Sequence, residues 1–168
     1  LKKLHSSRKK FKGTFNPFDS IRGYVRLVKR KKGWLPKDFE QLAHTLKKIE
    51  DKLGPLFTNY PCHLDMMIAN VIRTKHGLKL FDLEYSAMSD YSFDLAMFSM
   101  KGNLSPKDDH FLLNSYDEPS HHHAYDDLQC MKAVAAFREA AWGLVQNKIS
   151  HVPHDYKGYA NAHFAKFK

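Results

Sequence analysis

Apolar residues recur at helical spacing along most of this chain, and a single stretch in the middle breaks that pattern. From Cys62 to Asp82 the sequence has no long helical face. It contains instead two short β-like runs, residues 70–74 and 78–82, on either side of a turn that ends in Gly77. A Gly can supply the positive φ that a tight turn needs. The sequence therefore predicts one small β-hairpin inside a mainly α-helical fold.

Helical patterns lie on both sides of this hairpin. Residues 1–5 are typical of the end of a helix, and a basic loop follows to about Asn16. Pro36 suits a first helical turn, and Ser105 suits an N-cap. Apolar residues three and four apart predict the remaining helices over residues 18–31, 36–53, 93–100, 105–116 and 125–148, with a last helix that starts near Asp155.

Composition limits the class of protein. Of the 168 residues 43% are hydrophobic, which suits a packed globule, and no apolar run reaches the roughly 18 residues needed to cross a bilayer. We therefore expect no membrane insertion. The two cysteines, Cys62 and Cys130, form neither a CxxC motif nor a disulfide framework, which favours a reducing, cytoplasmic location. The first residues lack the apolar core of a secretory signal, and without an initiator Met the chain is expected to be a fragment or a mature piece of something longer.

The net charge of +9 makes a nucleic-acid partner worth testing. The basic residues concentrate at 2–12 and 26–32, whereas the middle of the chain is acidic. A solvated basic face, or a surface that attracts ATP, explains this distribution equally well, so we predict no nucleic acid as partner. Three consecutive histidines at 121–123, near Asp126 and Asp127, are expected to form a polar loop, because adjacent histidines cannot easily converge on one metal ion.

The residues around the hairpin carry the chemistry. His63, Asp65 and Asn70 repeat the spacing His-x-Asp-x-x-x-x-Asn of a kinase catalytic loop, and Asp82 ends the second predicted strand. Phosphoryl transfer needs a carboxylate at the attacking hydroxyl and oxygen ligands that hold magnesium on the phosphates. A lone His-x-Asp arises by chance in many chains, and an Asp at a strand end is often a turn residue. The loop, the hairpin and the acids Asp82 and Glu84 together indicate a phosphoryl-transfer site.

These motifs resemble a known family. Cys-His-Leu-Asp-Met-Met-Ile-Ala-Asn at 62–70 and Leu-Phe-Asp-Leu-Glu-Tyr at 80–85 are similar to the choline/ethanolamine kinase branch of the aminoglycoside phosphotransferase-like kinases. The resemblance extends to the first six residues and to segments 93–96, 142–150 and 156–159.

The resemblance implies the C-terminal lobe of a protein-kinase-like α+β fold. Residues 1–168 would form a single domain, with the catalytic loop and metal-binding hairpin at 61–84 and a helical substrate-binding part at 93–168. The sequence has no Gly-rich phosphate loop and no strand with a phosphate-binding Lys, so we expect the N-terminal kinase lobe to be absent from this chain.

The resemblance also assigns roles at the catalytic loop. Asp65 would be the general base for the substrate hydroxyl, and Asn70 and Asp82 would hold Mg²⁺, with ATP as the co-substrate. Glu84 would lie just outside the metal's own ligands or contact the positive group of the substrate.

Two further residues would support the loop. His63 would brace it, and Asp94, before a helix, would anchor its backbone rather than take part in catalysis.

For the substrate, the family implies an aromatic cage of Tyr85, Trp142 and Tyr159, because ring faces bind a quaternary ammonium group. The alternatives are core packing for Trp142 and a surface ring for Tyr159. One helical turn before Trp142, where better-known members carry a second Trp, this chain has Glu139. That residue would either add a carboxylate to the cage, which suits a primary amine as well as choline, or lie exposed on its helix.

The predicted function is an ATP- and Mg²⁺-dependent small-molecule kinase that phosphorylates the hydroxyl of choline or a similar amino alcohol. A related kinase for an aminoglycoside, a sugar or thiamine, and a non-catalytic binding lobe, remain alternatives. Without an N-terminal lobe, the 168 residues alone are expected to bind nucleotide weakly or not at all and to show no useful turnover. The sequence leaves the oligomeric state open.

Overall fold

The structure, a computed structural model, describes residues 1–116 and 125–168. The fold is mainly α-helical with two small antiparallel sheets, which confirms the predicted fold class. The predicted polar loop at 121–123 lies outside the described residues. The chain divides into two compact units, and the expected single domain stays a prediction. The first unit comprises Leu1–Phe15 and Leu56–Lys132, and the second comprises Asn16–Pro55 and Ala133–Lys168.

The predicted helices are present with small shifts at their ends. α3 begins at Phe39, three residues later than predicted, and Asp38 is its N-cap residue. α4 begins at Tyr91, two residues earlier, because the Asp90 side chain accepts a hydrogen bond from the Ser92 amide and caps the helix there. The helices are α1 Lys2–His5, α2 Pro17–Arg30, α3 Phe39–Leu53, α4 Tyr91–Gly102, α5 Pro106–Tyr116, α6 Tyr125–Ile149 and α7 Tyr156–Phe167.

The predicted hairpin is formed by β2 (Val71–Thr74) and β3 (Gly77–Leu80). Its antiparallel register pairs Val71 with Leu80 and Thr74 with Gly77, which leaves a two-residue turn. Gly77 has a φ of 99°, a conformation that other residues rarely adopt. The hairpin thereby places Asn70, just before β2, opposite Phe81, just after β3.

A second sheet was not predicted from the sequence. β1 (Tyr60–Cys62) pairs antiparallel with β4 (Ala87–Ser89), and Tyr60 lies opposite Ser89. Each strand has only three residues, too few for an alternating pattern, and Pro61 within β1 argues against a strand. This sheet holds the start of the catalytic loop, which follows β1.

α4 is the central helix of the first unit. Phe93, Leu95, Ala96 and Met97 on it are all at most 1% exposed. Nine of its twelve residues are buried, so the helix lies inside the unit rather than on its surface. A helix held this firmly is a rigid base for the loop that packs against it.

A buried carboxylate joins three helices of the first unit. Asp109 on α5, 1% exposed, hydrogen-bonds to Ser99 on α4 and accepts bonds from Lys132 (2.6 Å) and Gln129 (3.0 Å) on α6. Burial alone would raise the pKa of Asp109, but these hydrogen bonds outweigh it and hold the pKa below the ordinary value of 3.8.

Asp109→Asn is expected to cost roughly 1–3 kcal/mol of unfolding free energy, since it leaves Lys132 without its counter-charge. Because the folded-state pKa is lowered, the ionised form stabilises the fold above about pH 4, and this contribution is lost as the pH falls below that value. Urea unfolding of both proteins between pH 3 and 7 measures the difference. A constant difference over that range would contradict the prediction.

The second unit packs α2, α3 and α7 with the C-terminal part of α6. Phe137 on α6 makes edge contacts with Phe164 and Phe167 on α7 at 5.3 and 5.0 Å between ring centroids. Gly143 lets α7 come close, because a Cβ there would lie 3.0 Å from Cδ1 of Tyr159. None of the helices in the described ranges is long and apolar enough to span a membrane.

Candidate active site

Asp94, in the first turn of α4, holds the start of the catalytic loop. Its Oδ2 accepts a hydrogen bond from the His63 amide and its Oδ1 accepts one from the Leu64 amide, both at 2.7 Å. The side chain is fully buried, so water cannot replace these bonds. The geometry is the one that a loop anchor requires, and the α4 helix that carries Asp94 starts before this residue rather than after it.

His5 on α1 completes this anchor. The sequence pattern did not predict a role for this residue. Its Nε2 lies 2.9 Å from Oδ2 of Asp94, and its Nδ1 lies 2.6 Å from the hydroxyl of Tyr116 on α5. A neutral ring that donates from Nε2 and accepts at Nδ1 satisfies both contacts. The available signal was a histidine inside the apolar pattern of Leu1 and Leu4, but nothing in the sequence indicates its partners.

His63 connects the loop to the hairpin. Its Nε2 donates to the carbonyl oxygen of Phe81 at 2.9 Å, and its Nδ1 accepts from the Asp65 amide at 3.3 Å. The ring is fully buried. It therefore fixes the backbone beside two of the predicted functional residues, Asp65 and Asp82.

Asn70 closes the catalytic loop from its other end. Its Nδ2 donates to the carbonyl oxygen of Asp65 at 2.9 Å, and its own carbonyl oxygen accepts from the Phe81 amide at 3.2 Å. These bonds leave Oδ1 of Asn70 as a free acceptor among the described residues. The Asp65 carboxylate, half-buried, makes no hydrogen bond or ion pair with the described part of the chain. Both oxygen groups are thus available to a substrate or a cation.

Asp82 follows β3 in an unusual backbone conformation. Its φ is 64°, and Leu64 beside the predicted base has a φ of 67°. For L-residues this left-handed region is unfavourable, and residues that adopt it cluster at functional sites. These two left-handed residues are Asp82 itself and the neighbour of Asp65; Lys32 and Asn103, at the ends of helices, also have positive φ.

The residues near the hairpin fit a magnesium ion. The amide oxygen of Asn70 and the carboxylate of Asp82 are the hard oxygen ligands that Mg²⁺ prefers, and neither forms an ion pair with a described cation. Backbone contacts through Phe81 link the two residues. Glu84, two residues further on, is exposed.

A different trio of potential metal ligands lies below the loop. In the described ranges, the one group of three or more His, Cys, Asp or Glu ligand atoms within 4.8 Å of one another is that of His5, Cys62 and Asp94. Burial raises the pKa of the Cys62 thiol far above its usual range, so the sulfur stays protonated. The Asp94 oxygens are engaged by amides. This trio is therefore a hydrogen-bonded support and a poor metal site.

Large apolar side chains around the hairpin are open to solvent. Their exposure runs from 42% to 69%, far above that of the core. A contiguous exposed apolar patch is typical of a surface that binds another molecule. Those residues are Ile68, Ile72, Leu78, Phe81, Leu83 and Tyr85.

The second unit contains an aromatic cluster. Trp142 on α6 makes edge contacts with Tyr159 and Tyr156 on α7, with centroids 5.6 and 5.9 Å apart. His163 lies 4.5 Å from the Tyr159 ring. Trp142 and Tyr159 are both half-buried, so each has a ring surface that a ligand could reach.

Glu139 is not the exposed helix residue that one interpretation of the sequence allowed, because it is 5% exposed. The Tyr159 hydroxyl donates to its Oε2 at 2.5 Å, and Arg138 donates to its Oε1 at 2.6 Å. The carboxylate therefore joins the aromatic cluster through Tyr159, and its charge is already balanced by Arg138.

Comparisons with known proteins agree with these features. No protein-family model matches the chain. Protein LicA of Haemophilus influenzae is 29% identical over 126 residues, which cover 69% of this chain and 44% of that protein.

Two solved structures share the fold. The choline/ethanolamine kinase family protein from Mesorhizobium loti is 26% identical with a TM-score of 0.86, over 99% of this chain and 57% of that one. The choline kinase LicA from Streptococcus pneumoniae is 22% identical with a TM-score of 0.83, over 99% of this chain and 59% of that one.

The chain thus has part of a protein-kinase-like fold, in which the loop with the His-x-Asp-x-x-x-x-Asn spacing is held against α4 by Asp94. Its structural neighbours are choline/ethanolamine kinases and its relatives in sequence are LicA proteins, so the family resemblance found in its motifs is confirmed. The chain spans less than two thirds of the length of these relatives.

Proposed function

We propose that this chain is the C-terminal catalytic lobe of a kinase that transfers the γ-phosphoryl group of ATP to the hydroxyl of choline or a similar amino alcohol. One observation carries the proposal. The Asp65 carboxylate makes no hydrogen bond or ion pair with the described residues, while the backbone on both sides of it is fixed by Asp94, His63 and Asn70. A reactive group held by its backbone but left open at its side chain is the arrangement that general-base catalysis needs.

Asp65 acts on the acceptor. Its carboxylate accepts the proton of the substrate hydroxyl as the oxygen bonds to the γ-phosphorus, and the bond to the bridging oxygen breaks to release ADP. The proton then leaves Asp65 for solvent. The loop's hydrogen bonds hold the carboxylate in position and so lower the entropic part of the barrier.

Asn70 and Asp82 hold a magnesium ion in this proposal, and Glu84 supports it from outside or contacts the amine. When bound, Mg²⁺ supplies positive charge that offsets the charge on the ATP phosphates. The free Oδ1 of Asn70, the exposed side chain of Asp82 and the left-handed backbone at Asp82 support the assignment. His63 keeps Asp82 beside the loop through the Phe81 carbonyl.

An N-terminal lobe covers the hairpin in the whole protein. The relatives are longer than this chain, and the apolar side chains exposed around the hairpin match a surface that a second lobe and an adenine ring would bury. The 168 residues alone are then expected to lack useful turnover, because in this proposal the N-terminal lobe holds the nucleotide. A cytoplasmic location, where ATP is available, completes the proposal.

The amine is bound by aromatic rings. Trp142 and Tyr159 present half-buried ring surfaces in the second unit. Ring faces attract a quaternary ammonium group that cannot donate hydrogen bonds. The hydrogen bond from Tyr159 to Glu139 adds electron density to the phenol ring and so strengthens that attraction. Tyr85, 52% exposed in the first unit, stays a prediction of the family resemblance as the third ring.

Glu139→Gln tests the contribution of this hydrogen bond. The variant weakens the acceptor of the Tyr159 hydroxyl without removing volume, and we expect KM to rise about three- to tenfold for choline and for ethanolamine alike, with kcat nearly unchanged. The matched control is Glu40→Gln, which removes the same charge from an exposed position on α3 and should leave both constants unchanged. A rise in KM for ethanolamine alone would instead mean that Glu139 contacts the ammonium group directly.

An acceptor panel tests the function itself. The natural two-lobed protein is incubated with ATP, Mg²⁺ and, separately, choline, ethanolamine, an aminoglycoside, a sugar and thiamine, and phosphorylated products are identified by mass. We expect the highest kcat/KM for choline or ethanolamine. A clear preference for one of the other acceptors would replace the substrate, and an inactive but folded two-lobed protein would favour a non-catalytic binding lobe.

A further inference from the structure

A surface of the second unit combines unpaired positive charge with apolar side chains that solvent can reach. The turn between α2 and α3 contains Lys31, Lys32 and Trp34, and the end of α6 with the following loop contains Lys148, Ile149 and Val152. We refer to these six residues as the basic-apolar face.

Two contacts bring the two segments together. A Cβ placed on Gly33 would lie 3.6 Å from Cβ of Lys148, at the end of α6. The ammonium group of Lys157, at the start of α7, lies 4.8 Å from the centroid of the Trp34 ring. The α2–α3 turn therefore lies against the end of α6 and the start of α7, the two points between which the α6–α7 loop runs.

The cations of this face are not neutralised by the protein. Lys31, Lys32 and Lys148 are exposed and form no ion pair with residues 1–116 or 125–168. Of the nearby acids, Asp38 is paired with Lys168, and Asp155 caps α7 by accepting from the Gly158 amide. The surface thus has an excess of positive charge.

Lys32 occupies a position that favours glycine. The Gly33 amide donates to the Val28 carbonyl at 2.9 Å and the Lys32 amide donates to the Lys29 carbonyl at 3.1 Å, which together end α2. In this type of helix end the left-handed residue is usually Gly, yet Lys32 has a φ of 51°. A lysine there costs stability, which suggests that its charge has a use.

The apolar members point to the kind of partner. Val152 is 66% exposed and Ile149 is 41% exposed. The Val152 amide donates to the hydroxyl oxygen of Ser150, and that hydroxyl donates to Tyr156 at 3.1 Å, so defined bonds hold the loop that exposes this valine. Nucleic acid would use the charges but is bound mainly through its phosphates, whereas a lipid surface takes up both the charges and the aliphatic side chains.

We propose that the basic-apolar face binds the surface of an anionic lipid bilayer, with the lysines at the headgroups and Trp34, Ile149 and Val152 at the boundary of the acyl chains. Trp is the side chain best suited to that boundary, because its ring is apolar and its N–H is polar. Binding of this kind is peripheral and involves no spanning segment. It is independent of catalysis at Asp65.

Vesicle co-sedimentation of the purified protein tests the proposal. We expect binding to vesicles of 70% phosphatidylcholine and 30% phosphatidylglycerol and little to pure phosphatidylcholine. Each basic residue near such a surface contributes roughly a fivefold change in partitioning, so the double variant Lys31→Glu, Lys32→Glu should lose about 25-fold or more. The matched control, Lys9→Glu with Lys10→Glu in the basic loop of the first unit, alters the net charge equally and should change binding by less than about fivefold. Equal losses in the two variants would overturn the proposal.

Two further variants separate the explanations. Lys32→Gly relieves the left-handed strain, so we expect a higher Tm together with roughly fivefold weaker binding. A higher Tm with unchanged binding would contradict a role for this lysine. Val152→Ser should weaken vesicle binding by about threefold or more. If it has no effect and a short DNA duplex competes the vesicles off, the face binds polyanions in general and the lipid assignment is wrong.

Discussion

Asp65→Asn is expected to reduce kcat of the two-lobed protein by about 10²–10⁴-fold, the range typical of a lost general base. Asn keeps the size of the side chain but cannot accept the hydroxyl proton. Because the Asp65 side chain makes no hydrogen bond or ion pair with the described residues, Tm should stay within about 1 °C of the parent protein. Steady-state kinetics with ATP and choline, together with thermal unfolding, measure both quantities.

The control for this variant is Asp126→Asn, which removes the same charge from an exposed position on α6. Its kcat should stay close to the parent value. If Asp65→Asn retained more than a tenth of the activity, Asp65 would not be the base, and the family's role for this position could not be carried over.

Asp94→Ala is expected to have the largest effect on stability, roughly 3–5 kcal/mol of unfolding free energy. The change leaves the buried amides of His63 and Leu64 and the ring of His5 without an acceptor, and each unsatisfied polar group costs about 1–3 kcal/mol. Urea unfolding of the protein measures this loss. In the two-lobed protein, kcat per folded molecule should also fall, because the loop that carries Asp65 loses its anchor.

Asp90→Ala separates loss of stability from loss of loop position. Asp90 is also buried and accepts from two amides, those of Phe57 and Ser92, but neither belongs to the catalytic loop. The Asp90→Ala variant should lower the unfolding free energy about as much as Asp94→Ala does, while kcat per folded molecule stays unchanged. If both variants lowered kcat per folded molecule equally, Asp94 would have no special role in positioning the loop.

The long helices could be predicted from the sequence because the signal for each helix lies within its own stretch of residues. α2 and α6 have apolar residues at helical spacing and the α7 helix begins with a capping Asp, so a short window contains the signal. The hairpin was predictable for the same reason, since Gly77 marks its turn. The β1–β4 sheet was not, because two three-residue strands depend on a pairing between distant segments.

The same distinction applies to the candidate site: residues within a local motif were predictable, and residues whose partners are distant in sequence were not. Spacing within the motif pointed to Asp65, Asn70 and Asp82, and the hairpin that the sequence indicates pairs Asn70 with Phe81, the residue before Asp82. A shared site for the three side chains stays a prediction. His5 could not be assigned, because its partners lie 89 and 111 residues away. Likewise, the sequence presented Glu139 as a departure from the family but could not indicate that Tyr159 and Arg138 bind its carboxylate.

The most direct test of the catalytic assignment is the position of the divalent cation. Mn²⁺ and a non-hydrolysable ATP analogue are added to the ¹⁵N-labelled two-lobed protein, and paramagnetic broadening is followed by NMR. We expect the side-chain amide of Asn70 and the backbone amide of Phe81 to broaden first, and Asp82→Asn to raise the Mn²⁺ concentration needed by about tenfold or more. Broadening that leaves Asn70 and Phe81 sharp, or that is unchanged by Asp82→Asn, would contradict a shared metal site at the hairpin.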